Sequence, residues 1–312
     1  MTGAPGPAPA DRSARGGGRD LGLAALGAFS FGCTILFSRI VAKDQLSSSV
    51  ALGIRFGVAG LLLIGLLAVL RRPLLPPKGD RAAALALGLF VYAVESTFFY
   101  MGLERGTAAA VALIFYAYPA VIATFETVTG AIRLRARTVL ALALSISGSA
   151  IVAIGGGKLA ITSTGVLLVC GSIVMFSTYA LLSDRVLPNT DSLTAAAWTA
   201  IGASVGVTTF GAARGQMQLP SGGAFAALVA NGFATAAAFT LFFMVLDRIG
   251  PTRTGICMAL EAVTGIVLAA IFLGESVRPV VAIGGAAVLA GAVLAALVSP
   301  APVEALERSS PP

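Results

Sequence analysis

AAALALGLFVYAVESTFFYMGLERGTAAAVALIFYAYPAVIATFETVT, residues 82–129, decides how this chain is read. It holds two apolar runs joined by the short turn Glu104-Arg105-Gly106. About 20 apolar residues cross the ~30 Å hydrocarbon core of a bilayer, so each run is long enough to span it. Glu95 sits inside the first run, where a charge costs about 2.5–3.5 kcal/mol on insertion scales. Tyr116-Ala117-Tyr118-Pro119 sits inside the second, and its proline removes a backbone hydrogen bond and bends the helix. A membrane pathway with this hairpin in its wall is a reason for both features.

Outward from the hairpin the pattern continues. Apolar runs fall at 21–42, 49–70, 82–103, 107–128, 138–155, 164–183, 192–212, 223–246, 252–273 and 279–298, separated by breakers such as Pro73, Pro76, Pro77, Pro188, Pro220 and Gly250-Pro251. The fold class is therefore an all-α membrane protein with ten transmembrane helices. Of the 312 residues, 57% are hydrophobic and only 11% charged, against about 25% charged in soluble domains. The segments 1–20 and 299–312, rich in Pro, Gly and polar residues, are expected to be disordered tails. The run after residue 20 exceeds a signal-peptide core and is read as a retained first span.

The net charge of +7 would suggest nucleic acid in a soluble protein, but here the bases sit in loops and set topology, so no nucleic-acid partner is expected. Arg12, Arg15 and Arg19, then Arg71, Arg72, Lys78 and Arg81, then Arg133, Arg135 and Arg137 fall on one side. Lys43, Arg105, Lys158, Arg214 and Arg278 fall on the other. The positive-inside rule then puts both termini in the cytoplasm, in a multi-pass protein of the inner membrane. Histidine is absent, which removes His-based triads and most zinc-hydrolase arrangements. Cys33, Cys170 and Cys257 stand apart, without metal or disulfide spacing, and are expected to be small core residues. No P-loop occurs. No cofactor or metal is implied, and no enzyme activity.

The chain also repeats itself. Residues 100–153 lie on 243–296 at a shift of 143, with Met101 on Met244, Leu103 on Leu246, Arg105 on Arg248 and Gly148 on Gly291. The units are 21–155 and 164–298. Five spans is an odd number, so the second unit enters the membrane upside down, the arrangement of secondary transporters whose site lies between the halves.

Two five-helix repeats, the pair Arg55-Phe56 in the second helix, YAYPAVIA in the fourth and LEAVTGIVLAAIFLGE (260–275) in the ninth resemble the EamA-type drug/metabolite transporter superfamily. The likeness covers about residues 20–298. It implies a carrier for a small metabolite, an amino acid or other compact polar or amphipathic compound, working by efflux with proton exchange or simple facilitation. The sequence departs from the pattern at Ala262, where many relatives carry proline, and at Thr129-Gly130-Ala131-Ile132, opposite Phe272-Leu273-Gly274-Glu275 of the second repeat.

Candidate site residues follow from polarity at depth. Arg55 and Glu95 lie roughly 9–12 Å below the outer boundary, and charges at similar depth on successive helices should pair. That pair either locks two helices or orients substrate; its repeat counterparts, Trp198 and Ala238, are uncharged. Glu261, midway along the ninth helix, has no basic neighbour at its depth. It is expected to be protonated or to bond hydroxyls such as Thr264, which suits a proton carrier or a substrate contact. Its repeat partner is Tyr118, so of Tyr116 and Tyr118 the latter is expected to face the pathway. Phe99, Tyr179, Trp198 and Asn231 are candidate wall, and Glu126 and Arg39 are expected to snorkel to the interface. Helices five and ten, with Ser145, Ser149, Ala287, Gly291 and Ala295, read as packing helices away from a cavity formed by helices 1–4 and 6–9. The competing readings are an intramembrane enzyme, for which no Ser-Lys, His or paired-Asp site is placed at bilayer depth, and a passive channel or non-transporting scaffold. Substrate identity and oligomeric state are not written in the sequence.

Overall fold

The structure, a computed structural model, describes residues 17–41, 46–155, 159–187, 189–274 and 278–297. Among them are ten helices long and apolar enough to cross a membrane. They are α1 (Gly17–Val41), α2 (Ser48–Val69), α3 (Arg81–Leu103), α4 (Ala108–Val128), α5 (Ala136–Gly155), α6 (Ser163–Val186), α7 (Ser192–Ala213), α8 (Gly222–Ile249), α9 (Pro251–Leu273) and α10 (Pro279–Leu297). The expected tails at 1–16 and 299–312 lie outside the described residues, as do Lys43, Lys158, Pro188 and Glu275. Residues 17–20, read as tail from the sequence, instead form the first turn of α1, where Asp20 is buried and accepts from Arg248 Nη1 at 3.2 Å.

Helix starts are set by short polar side chains that satisfy orphan backbone N–H groups. Ser47, Thr107, Thr162, Asp191 and Ser221 cap α2, α4, α6, α7 and α8 in this way. Gly250, at φ +78, turns the chain between α8 and α9, a conformation open to glycine at little cost. Large apolar side chains such as Leu61, Val69 and Val128 point outwards, where lipid solvates them.

Three spans are interrupted. α3 carries a π-helical segment, Leu87–Tyr92, that ends less than one turn before Glu95; such segments are frequent at functional sites. α4 breaks between Phe115 and Tyr118, with Pro119 in the first turn of its second half. α9 breaks at Ala259, between Pro251–Met258 and Leu260–Leu273. Tyr116 and Ala259 are equivalent under the 143-residue shift, so the repeat is present in the backbone as well as in the sequence.

Helix neighbours obey the same exchange. α1 packs on α8 and α9, as α6 packs on α3 and α4; α2 lies on α8 as α7 lies on α3. α2 meets α7, α4 meets α9 and α5 meets α10. Replacing each helix by the one five places along leaves this set of contacts unchanged, the signature of two related halves. α5 and α10 approach closely: a Cβ on Gly148 would stand 2.7 Å from the Gly284 carbonyl oxygen, and one on Gly284 equally near that of Gly148. Small residues allow this backbone contact.

Candidate functional site

A cavity of about 570 Å³ lies between the halves. It opens at the end of the bundle where α1 and α3 terminate and α2 and α4 begin, between the N-terminal half of α4 (Ala108, Ala109, Ala112) and the C-terminal half of α9 (Gly265, Ile266). Its walls come from α1–α6, α8 and α9; among the described residues α7 and α10 contribute nothing. The expected ring of helices 1–4 and 6–9 is thus corrected at two places. α7 stands behind α2 and α3, and the end of α5 reaches the cavity through Val152 and Ala153.

The base is aromatic. Tyr92 packs against Tyr179 at 4.8 Å between ring centroids, Tyr118 against Phe176 at 4.8 Å and Phe176 against Phe242 at 6.0 Å. Below this floor the C-terminal half of α4 and the N-terminal half of α9 touch. The Tyr118 hydroxyl donates to the Gly255 carbonyl at 3.0 Å, and a Cβ on Gly255 would meet the Tyr118 ring at 3.3 Å. Further along, at the start of α9, a Glu126 oxygen accepts from the backbone N–H of Thr252 at 3.0 Å and from its hydroxyl at 2.5 Å. Glu126 therefore does not snorkel. It is buried and caps the N-terminus of α9, where a helix presents unsatisfied donors and positive dipole.

Glu95, Arg55 and Glu261 all line the cavity. The expected ion pair is absent. One Glu95 oxygen accepts from Ser172 and the other from Ser96, both at 2.9 Å, so two hydroxyls rather than a guanidinium solvate the carboxyl. The Arg55 guanidinium carbon stands 4.4 Å over the Phe56 ring, and its buried Nε has no hydrogen-bond partner among the described residues. The Glu261 carboxyl does not bond the Thr264 hydroxyl, which donates instead to the backbone carbonyls of Ala28 and Glu261, both at 3.0 Å. The Tyr116 phenol is the neighbour of this carboxyl in the cavity wall. Both tyrosines line the cavity, contrary to the expectation of one, because the break between them removes the helical turn that would point them apart.

Phe99 and Asn231 are wall, and Asn231 Nδ2 donates to Ser38 Oγ at 3.2 Å. Tyr179 is packed in the core behind the floor, and Trp198 donates to the Leu74 carbonyl at 2.9 Å; neither lines the cavity. Arg39 stands in the cavity wall. Of the cysteines only Cys257 is buried; Cys33 is half-buried and Cys170 exposed.

The two-repeat layout has a match among known families: the EamA-like transporter family aligns over residues 20–154 and again over 163–297. The chain belongs to that family. EamA membership makes a membrane transporter its functional class. Of 29 matching chains of solved structure, one titled "Crystal structure of protein" superposes with a TM-score of 0.74 at 17% identity, covering 92% of this chain and 99% of its own. At that identity the likeness concerns the fold. No curated protein sequence matches the chain.

Proposed function

We propose that this EamA protein is a secondary carrier that exports a compact amphipathic metabolite, such as an amino acid, across the inner membrane by alternating access. The observation that carries the reading is a cavity open at one end of the bundle, sealed at the other by Tyr118–Gly255 and Glu126–Thr252, with Arg55, Glu95 and Glu261 in its wall. With both termini cytoplasmic, as the basic loops direct, this form is open to the outside and shut to the cytoplasm. Five spans per repeat invert the second repeat, so the mirror form, shut outside and open inside, is built from the same contacts exchanged between halves.

The substrate chemistry follows from the wall. Arg55 meets a ring face and keeps an unpartnered Nε, so an anionic group would complete its shell. The rings of Phe31, Phe99 and Phe115 offer apolar surface beside it. An open channel fits less well, because the aromatic floor and the inner seal leave no continuous passage in the geometry described. Counterflow tests the carrier: vesicles preloaded with unlabelled substrate should take up labelled substrate faster than empty ones. Equal rates would indicate a pore or a scaffold.

A further inference from the structure

The inner seal can be carried across the repeat to the outer mouth, a step that rests on the carrier reading with inverted halves. In the seal the Tyr118 hydroxyl donates to the Gly255 carbonyl. That carbonyl lies one turn before the α9 break and also accepts from the Ala259 N–H at 3.3 Å. The 143-residue shift turns Tyr118 into Glu261 and Gly255 into Ala112. Ala112 is placed in the same way, one turn before the α4 break, with its carbonyl accepting from the Tyr116 N–H at 3.0 Å, and it lines the cavity.

A carbonyl oxygen can only accept, and it has a second lone pair for another donor. Tyrosine brings a proton to such a contact. A carboxylate brings none, and two oxygen acceptors left facing each other away from water are costly. We infer that Glu261 is the bolt of the outer gate: closing the mouth seats its carboxyl against the Ala112 carbonyl, and the carboxyl must carry a proton to do so. The proton comes from water in the open cavity onto a Glu261 oxygen. It leaves to water on the cytoplasmic side once the inner end opens. Outward passage of substrate is thereby exchanged for inward passage of a proton, and the deprotonated, empty carrier is held outward-open.

The titratable and charged groups facing Glu261 are Tyr116 and Tyr118 on α4, Tyr92 and Glu95 on α3, Arg55 on α2 and Arg39 on α1, while Asp247 and Arg248 of α8 stand in the last turn of that helix. α10 carries none between Pro279 and Leu297, and α5 has only Arg137, at its far end. Glu95, and Glu104 at the end of α3, are the other carboxyls in the cavity wall that a pH change can address.

The test uses the full chain with its three cysteines replaced and nitroxide labels at Ala109→Cys and Ile266→Cys, on opposite lips of the mouth, attached before the pH is varied. Between about pH 8 and about pH 5 the open-to-closed ratio from pulsed electron resonance should fall, by at most about tenfold per unit for one titrating carboxyl. Glu261→Gln, whose amide can donate to the carbonyl, should give the short distance at every pH, and Glu261→Ala the long one. Glu95→Gln should keep the pH dependence. A second pair, Val128→Cys with Arg253→Cys, reports the inner end. If the two pairs move reciprocally but Glu261→Gln titrates like the parent, or if the dependence vanishes in Glu95→Gln instead, the bolt is refuted while the carrier stands. Should neither pair ever move, the carrier reading itself fails.

Discussion

Arg55 and Glu95 show what individual side chains contribute, because each is placed at some cost and the two do not cancel. A guanidinium with an unpartnered Nε, over a phenyl face, is poised for an anionic group. Losing a charge-assisted hydrogen bond costs about 1.5–3 kcal/mol, so Arg55→Ala should raise the KM for substrate by about 10- to 100-fold. Arg55→Lys should recover only part of this, since an ammonium lacks the planar fork. KM measured by counterflow at matched protein abundance checks both, and an unchanged value would take Arg55 out of the binding site. Glu95→Gln asks a different question. The hydroxyls of Ser96 and Ser172 can rotate to accept from an amide as readily as they donate to a carboxylate, so the packing survives the exchange. Transport should nevertheless stop, with insertion and abundance normal; persistent transport would make Glu95 a packing group. Glu95 and Glu261 were legible in the sequence because intramembrane carboxyls are rare. Glu126 was misread, since a carboxylate near a span end resembles a snorkelling one and its partner, Thr252, lies 126 residues away. Trp198 and Tyr179 were misplaced for a related reason: an aromatic residue packs a core as readily as it lines a pathway.

At the scale of elements, the informative parts are the two broken helices. Bilayer thickness limits span length, which is why all ten spans could be read from the sequence with small errors at their ends. Pro119 announced the break in α4. The break in α9 had no such sign, because Ala262 occupies the position equivalent to Pro119. The π segment of α3 was equally hidden, since a run apolar on all sides has no period to disturb. The functional weight of the breaks is that each half-helix can tilt separately, and Glu126 fastens one of them. Removing a helix cap costs about 1 kcal/mol, up to about 2, and here that cost falls on the inner-closed form alone. Glu126→Ala should therefore shift the population towards inward-open by a factor of about 5 to 30. Cytoplasmic-side labelling of a cysteine placed at Ile122, on the sealed face of α4, should rise accordingly. Glu126→Gln, which keeps an acceptor for the Thr252 N–H, should shift it less. Equal labelling in all three proteins would reduce the Glu126–Thr252 contact to packing without a gating role.

For the whole molecule, the question is whether the two halves trade places functionally. The inner end has a second polar fastening, Glu126 with Thr252, whose image at the mouth is apolar: Thr252 and Glu126 map onto Ala109 and Ala269. Two otherwise similar gates are thus held unequally, which in the proposed carrier cycle favours the outward-open form at rest. The same mapping gives a test that the symmetry alone sets up. If closing the mouth reproduces the inner seal, cysteines at Ala109 and Ala269 should come within disulfide range, about 4.4–6.8 Å between Cα atoms, in the inward-open form. Oxidation should then arrest transport and reduction restore it, and adding Glu126→Ala should speed the cross-link because it populates that form. A cross-link that forms without stopping transport, or that Glu126→Ala leaves unchanged, would mean the mouth closes by some other movement and the second repeat is not the working image of the first.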